Sequence, residues 1–100
     1  MATTVYKTKE IELENGKVIT GKPLKISALR KFMKEFAKLD DAKNNDETFD
    51  IFTRLVLISL EQWDKELASP EYIEDNMDLE NYHAIIEAAS GIDLRSQGNE

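Results

Sequence analysis

The stretch TFDIFTRLVLISLEQW, residues 48–63, decides what kind of fold this chain can adopt. Phe49, Phe52, Val56, Leu60 and Trp63 recur at intervals of three and four, forming one apolar stripe of a helix. Ile51, Leu55 and Ile58 form a second stripe around its side. A helix that is apolar over most of its circumference has to be covered from more than one direction. The stretch therefore predicts a central helix over residues 46–67, with Asp46 or Thr48 as its cap, wrapped by the rest of the chain.

Upstream of it lies a polar connection, DDAKNNDE (residues 40–47). Its carboxylates do not alternate as a calcium loop requires, and it has no central glycine, so it reads as a solvated link. Before that, Leu29, Phe32, Met33, Phe36 and Leu39 make a single stripe, with Arg30, Lys31, Lys34 and Lys38 on the other face. A first helix is expected over residues 27–40, capped by Ser27. Further upstream, GKVITGKP (residues 16–23) matches a phosphate-binding loop except at its last position, where Pro23 replaces the hydroxyl that would hold magnesium. Its neighbours decide against that reading. Ile11 and Leu13 alternate with Glu10, Glu12 and Glu14, Asn15-Gly16 suits a two-residue type I′ turn, and Val18, Ile19 and Thr20 are β-branched. Residues 9–22 are thus expected to form a β-hairpin.

Downstream, Ser69-Pro70-Glu71 starts a short helical turn over residues 70–76, with proline where its missing N–H costs nothing. Asp78 caps a last helix over residues 78–90, with Met77 and Tyr82 spaced as a hydrophobic staple. Gly91 ends it, and Ile92 is placed to pack back as in a Schellman motif. Residues 95–100 read as a loose polar tail. The expected fold is mostly α with a small N-terminal β-hairpin: one domain over residues 1–94, three main helices and a short helical turn.

Composition narrows the chemistry. No apolar run is long enough to span a bilayer, and no basic stretch followed by an apolar block marks a secretory signal. Cysteine is absent, which removes disulfides, thiolate metal sites and cysteine nucleophiles. His83, the single histidine, lies beside the apolar stripe of the last helix and reads as a boundary residue. Glu71, Glu74, Asp75, Asp78 and Glu80 sit where they serve helix N-termini, and no pair is set apart as acid and base. The expectation is a protein with no enzymatic activity, cofactor or metal.

Charge is unevenly spread. Residues 1–44 hold ten Lys and Arg against six Asp and Glu; residues 45–100 hold three against fourteen. The halves carry +4 and −11, giving the net −7 of the chain. Such a chain can attract copies of itself head to tail, or a complementary partner. Nucleic acid is the weaker alternative: the basic first helix could lie along phosphates, but the acidic remainder repels them and no aromatic is interleaved for stacking. An acidic inhibitor of a host enzyme is a further alternative. The expected contact surface pairs Arg30, Lys31, Lys34 and Lys38 with Glu61, Asp64, Glu71, Glu74 and Asp75 of a neighbour or client. Phe32, Phe36, Phe49, Phe52 and Trp63 are assigned to the core before any interface.

A family resemblance accompanies this pattern. A strand pair leads into KPLKISALRKFMKEFAKL; TFDIFTRLVLISLEQW and an acidic connection follow, then YIEDNMDLENYHAIIEAASGIDL. The arrangement, over about residues 9–95, resembles the tail assembly chaperones of long-tailed bacteriophages of Gram-positive hosts. Its most telling part is the closing helix, of the form D-L-x-x-Y-x-x-I-I-E-x-A-S-G. The resemblance implies a non-enzymatic protein of the host cytoplasm, absent from the mature virion. It would bind the tape measure protein, keep it soluble and assist polymerisation of the tail tube. It also implies self-association, and contact with the major tail tube protein through a longer frameshifted product that shares this domain.

Overall fold

The computed structural model describes residues 8–92; the expected tail at 95–100 lies outside them. Two antiparallel strands, β1 (Lys9–Glu12) and β2 (Val18–Gly21), precede four helices: α1 (Ile26–Ala37), α2 (Asn45–Trp63), α3 (Pro70–Asn76) and α4 (Leu79–Ser90). Single 3-10 turns follow α1 at Lys38–Asp41 and α2 at Lys65–Leu67. The expected class, mostly α with a small hairpin, is the one observed. The central helix is α2, which packs against α1, α3 and α4. Leu55, Val56 and Leu60 of α2 are completely buried, together with Phe32, Ile73, Ile85 and Ile86 from its three partners.

The hairpin pairs Ile11 with Ile19, and both side chains are buried while Glu10, Glu12 and Thr20 face water. Its turn differs from the expected type I′. Gly16 is at φ 87, but Asn15 is not in the left-handed region. Leu13 accepts from the Gly16 N–H at 3.0 Å, and its own N–H donates to the Lys17 carbonyl at 2.8 Å. These bonds close a three-residue loop with glycine at the left-handed position. Asn15 is occupied otherwise: its amide donates to the Tyr72 hydroxyl at 3.0 Å, and its Oδ1 accepts from the Lys17 N–H. A contact with α3, 57 residues away, thus accompanies a change of turn type. Residues 16–23, the near-match to a phosphate loop, are the end of this turn, β2 and its exit.

Helix ends follow tertiary anchors where these compete with local caps. The first helix starts at Ile26, so Ser27 lies inside its first turn and does not cap it. Gln62 of α2 accepts from the Lys25 N–H at 2.9 Å, which holds the chain extended at Lys25 and sets the helix start there. Asn44, and not Asp46 or Thr48, caps α2 by accepting from the Glu47 N–H at 2.9 Å. Glu47 reaches back to the Lys43 N–H at 2.9 Å, a displaced version of the capping box. The helix stops at Trp63, four residues before its expected end at Leu67. There the hairpin takes over: the Trp63 indole donates to the Lys22 carbonyl at 2.9 Å, and Asp64 pairs with Lys17 at 4.0 Å.

The first helix ends at Ala37, short of its expected end at residue 40, because the chain tightens into the 3-10 turn Lys38–Asp41; the ends of α3 and α4 match their sequence signals closely. Ser69 caps α3 with Pro70 at its first position. Asp78 and Asn81 form a reciprocal capping box on α4, and Met77 and Tyr82 are both buried beside it. Asn81 also donates to the Glu12 carbonyl at 3.0 Å, tying β1 to this helix. At the other end Gly91, at φ 82, donates to the Glu87 carbonyl. The next N–H, of Ile92, goes to the Ser90 hydroxyl at 3.1 Å, so a side chain replaces the second backbone bond of the expected Schellman motif.

Candidate functional site

The largest side chains divide between interior and surface in an informative way. Phe32 is fully buried and Phe52 nearly so, while Phe36 and Trp63 are half-buried against the core. Phe49, assigned to the core from its spacing, is 45% exposed. Leu79, Met33 and Val18 are exposed to a similar degree, and Ile26 more so. Four of these five fall on two surfaces of opposite charge.

The first surface is a groove of about 570 Å³ at the N-terminal end of α2, where α3 hands over to α4. Phe49 and Leu79 stand on its sides, Met77 and Tyr82 form its base, and Asp46, Asp50, Glu74 and Asp78 edge it. In its lining the Tyr82 hydroxyl and the Thr53 hydroxyl lie 2.7 Å apart, and Thr53 also reaches Glu74 at 3.4 Å. Burial pushes the Tyr82 phenol above its ordinary pKa, the bond to Thr53 opposes this, and the Glu74 charge adds to it. The phenol therefore stays neutral and can serve as a hydrogen-bond donor. Asp78 is held below the usual carboxylate range by the Asn81 N–H and by a hydrogen bond with Glu14. Glu14 is correspondingly pushed up, through its bond to Asp78 and the charge of that residue. Among the described residues, none of the four edging carboxylates is ion-paired with Lys or Arg.

The second surface is the edge of α1. Ile26, Met33 and Ala37 lie along it at helical spacing, with Leu29 beneath and Arg30, Lys31 and Lys34 alongside. Ile26 is 65% exposed, unusual for so large an apolar side chain. Neither Arg30, Lys31 nor Lys34 makes an ion pair with a described residue. Lys38 is different: it binds Glu35 at 3.2 Å. Glu35 also accepts from Arg54 of α2, so this carboxylate clamps α1 to the central helix. Burial alone would raise the pKa of Glu35, but Arg54 and Lys38 together bring it below its ordinary value.

The residues singled out from sequence are only partly brought together. Arg30, Lys31 and Lys34 share one face, whereas Lys38 turns to Glu35. Of the five acidic candidates, Glu74 alone lines the groove; Glu61, Asp64, Glu71 and Asp75 do not, and Asp64 is engaged by Lys17. Sequence reading passed over Asp46, Asp50 and Asp78 as groove residues. A signal for the first two existed: Asp46, Phe49, Asp50 and Thr53 follow the i, i+3, i+4, i+7 spacing of one helix face, an apolar residue between two acids. His83 packs edge-on against Phe52, ring centroids 6.1 Å apart, at the boundary expected for it. No group of three His, Cys, Asp or Glu among the described residues is placed to hold a metal, and no described helix is long and apolar enough to cross a membrane. Comparison with protein-family models, with curated proteins and with solved structures gives no match.

Proposed function

We propose that this chain is a non-enzymatic phage tail assembly chaperone, acting in the host cytoplasm by binding the tape measure protein. The observation that supports this reading is the exposure of large apolar side chains on charge-edged surfaces of a small chain. Phe49 and Leu79 sit among acids, Ile26 and Met33 among bases. Exposed apolar ground edged by charge suits a helical client that must be covered and later released. The resemblance of the helical pattern to tail chaperones, strongest in residues 78–91, supplies the identity of that client. On this reading the chain leaves before the virion is complete, and a longer frameshifted product carries the contact to the tail tube protein.

The test is co-expression with a tape measure protein from the same phage. The wild-type chain should keep it in the soluble fraction and co-purify with it. The double substitution Phe49→Asp/Met33→Asp, which places charge on both surfaces, should lose this effect while remaining folded. A client equally soluble without the chain, or unaffected by the substitutions, refutes the proposal. Arg30, Lys31 and Lys34, which form no ion pair with a described residue, keep one other reading in view, a regulator that binds nucleic acid. Retarded migration of DNA or RNA that weakens with salt would favour it.

A further inference from the structure

We propose that the exposed flank of α1 is a docking site for one amphipathic helix of a partner protein, a helix whose apolar stripe is edged by Asp and Glu. This deepens the chaperone reading and rests on it for the protein that carries the helix; the chemistry of the helix is read from α1 alone.

At about 100° per residue, the side chains of α1 take a fixed order round its axis. Phe32 is fully buried, and Phe36 and Leu29 lie partly buried to one side of it. The apolar surface does not stop where the core stops. On that same side it runs on through Met33 and Ile26, 43% and 65% exposed, to the exposed Ala37. Arg30 and Lys34 come next, each within about 20° of the point directly opposite Phe32. On the other side Glu35, the single acid of α1, is turned in toward Arg54. The apolar arc thus overruns the core on one side only, and bases form its outer border. Leu29 also lines a neighbouring hollow of about 510 Å³ with Pro23, Leu24 and Ala89, so the apolar floor extends past the helix.

This asymmetry selects the occupant. A membrane or a phosphate backbone laid on the crown of α1 would meet Arg30 and Lys34 but leave Ile26 and Met33 facing sideways into water. A helix lying alongside α1 covers all four. Ile26, Leu29, Met33 and Ala37 are spaced three or four apart, the interval at which a second helix packs ridge into groove. Arg30 and Lys34, which form no ion pair with a described residue, then face the flank of that helix, where carboxylates complement them.

Two designed helical peptides of about 20 residues test this, identical in their leucine stripe and bearing either Glu or Lys along its edge. Fluorescence anisotropy at low salt should show the wild-type chain binding the Glu peptide roughly tenfold more tightly than the Lys peptide, a preference that salt weakens. Arg30→Glu/Lys34→Glu should reverse the preference. Lys43→Glu/Lys65→Glu, which changes the net charge equally but lies outside α1, should keep it. Ile26→Ser/Met33→Ser should weaken both peptides, and circular dichroism melting first shows that every variant is folded. Failure to bind either peptide, equal binding of the two, or a preference that follows net charge alone would overturn the proposal. So would a chain that ignores both peptides and sediments instead with anionic vesicles or with copies of itself. The peptides have no phage origin, so failure here leaves the co-expression result standing, and the reverse holds too.

Discussion

Gly21 carries the most quantitative test of how the hairpin sits on the helices. An ideal Cβ at this position would stand 2.9 Å from the Ala88 Cβ on α4, and 3.0 and 3.2 Å from two ring atoms of Trp63. Neither neighbour can easily retreat. The Ala88 methyl is fixed to the helix backbone, and the Trp63 ring is held by its bond to the Lys22 carbonyl. Gly21 is not in the left-handed region, so alanine meets no backbone strain and the test isolates packing. Two effects oppose each other in Gly21→Ala. Reduced freedom of the unfolded chain favours the variant by about 0.4–1 kcal/mol. Overpacking costs about 1–3 kcal/mol, toward the upper end where neighbours are rigid. Packing wins, by roughly 2 kcal/mol, which for a domain of this size lowers Tm by about 8–16 °C. Urea unfolding followed by fluorescence measures it directly, because the single tryptophan of the chain is Trp63 at the contact itself. The midpoint should fall with little change in slope. Adding Ala88→Gly, which alone costs about 1 kcal/mol of helix stability, should destabilise less than the sum of the two changes. A neutral or more stable Gly21→Ala protein would refute the close approach of β2 to α2 and α4.

Three further outcomes follow from the same contacts. Asp78→Ala removes the acceptor of the α4 capping box and should cost about 1–2 kcal/mol in chemical denaturation. Glu14→Gln tests the pair of carboxyls at the hairpin turn: Glu14 has a raised folded pKa, so its ionisation opposes folding as pH rises through that value. The variant should therefore melt higher than wild type at pH 7, and the gain should vanish below the ordinary carboxylate pKa, where Glu14 is protonated in both states. Phe32→Ala should cost about 3–5 kcal/mol, whereas Phe49→Ala should stay within about 1 kcal/mol, because the first ring is buried and the second half in water. Equal losses at the two sites would contradict their placement.

The partial legibility of the surfaces has a physical cause. Met33 and Phe49 belong to apolar stripes by spacing, and a stripe shows which way a side chain points without showing whether anything stands there. The base of the groove depends on Met77 and Tyr82, which follow Phe49 by some thirty residues and reach it only when α4 folds back on α2.

What the sequence determined by itself is what local forces control. Alternation at Ile11 and Leu13 marks a strand with one wet face, and the stripes of residues 49–63 require a helix covered on several sides. Asp78, Ser69-Pro70 and Gly91 place helix ends through groups within a few residues of the backbone they satisfy. Tertiary structure decided the rest. Gln62 moved the start of α1, Trp63 and Asp64 ended α2 at the hairpin, and Tyr72 engaged the turn at Asn15. Each of these bonds joins residues about forty or more positions apart, and Leu79 stays exposed because no described residue packs over it. Periodicity carries no information about distance across the fold, so the two oppositely charged surfaces emerge only once the helices are packed.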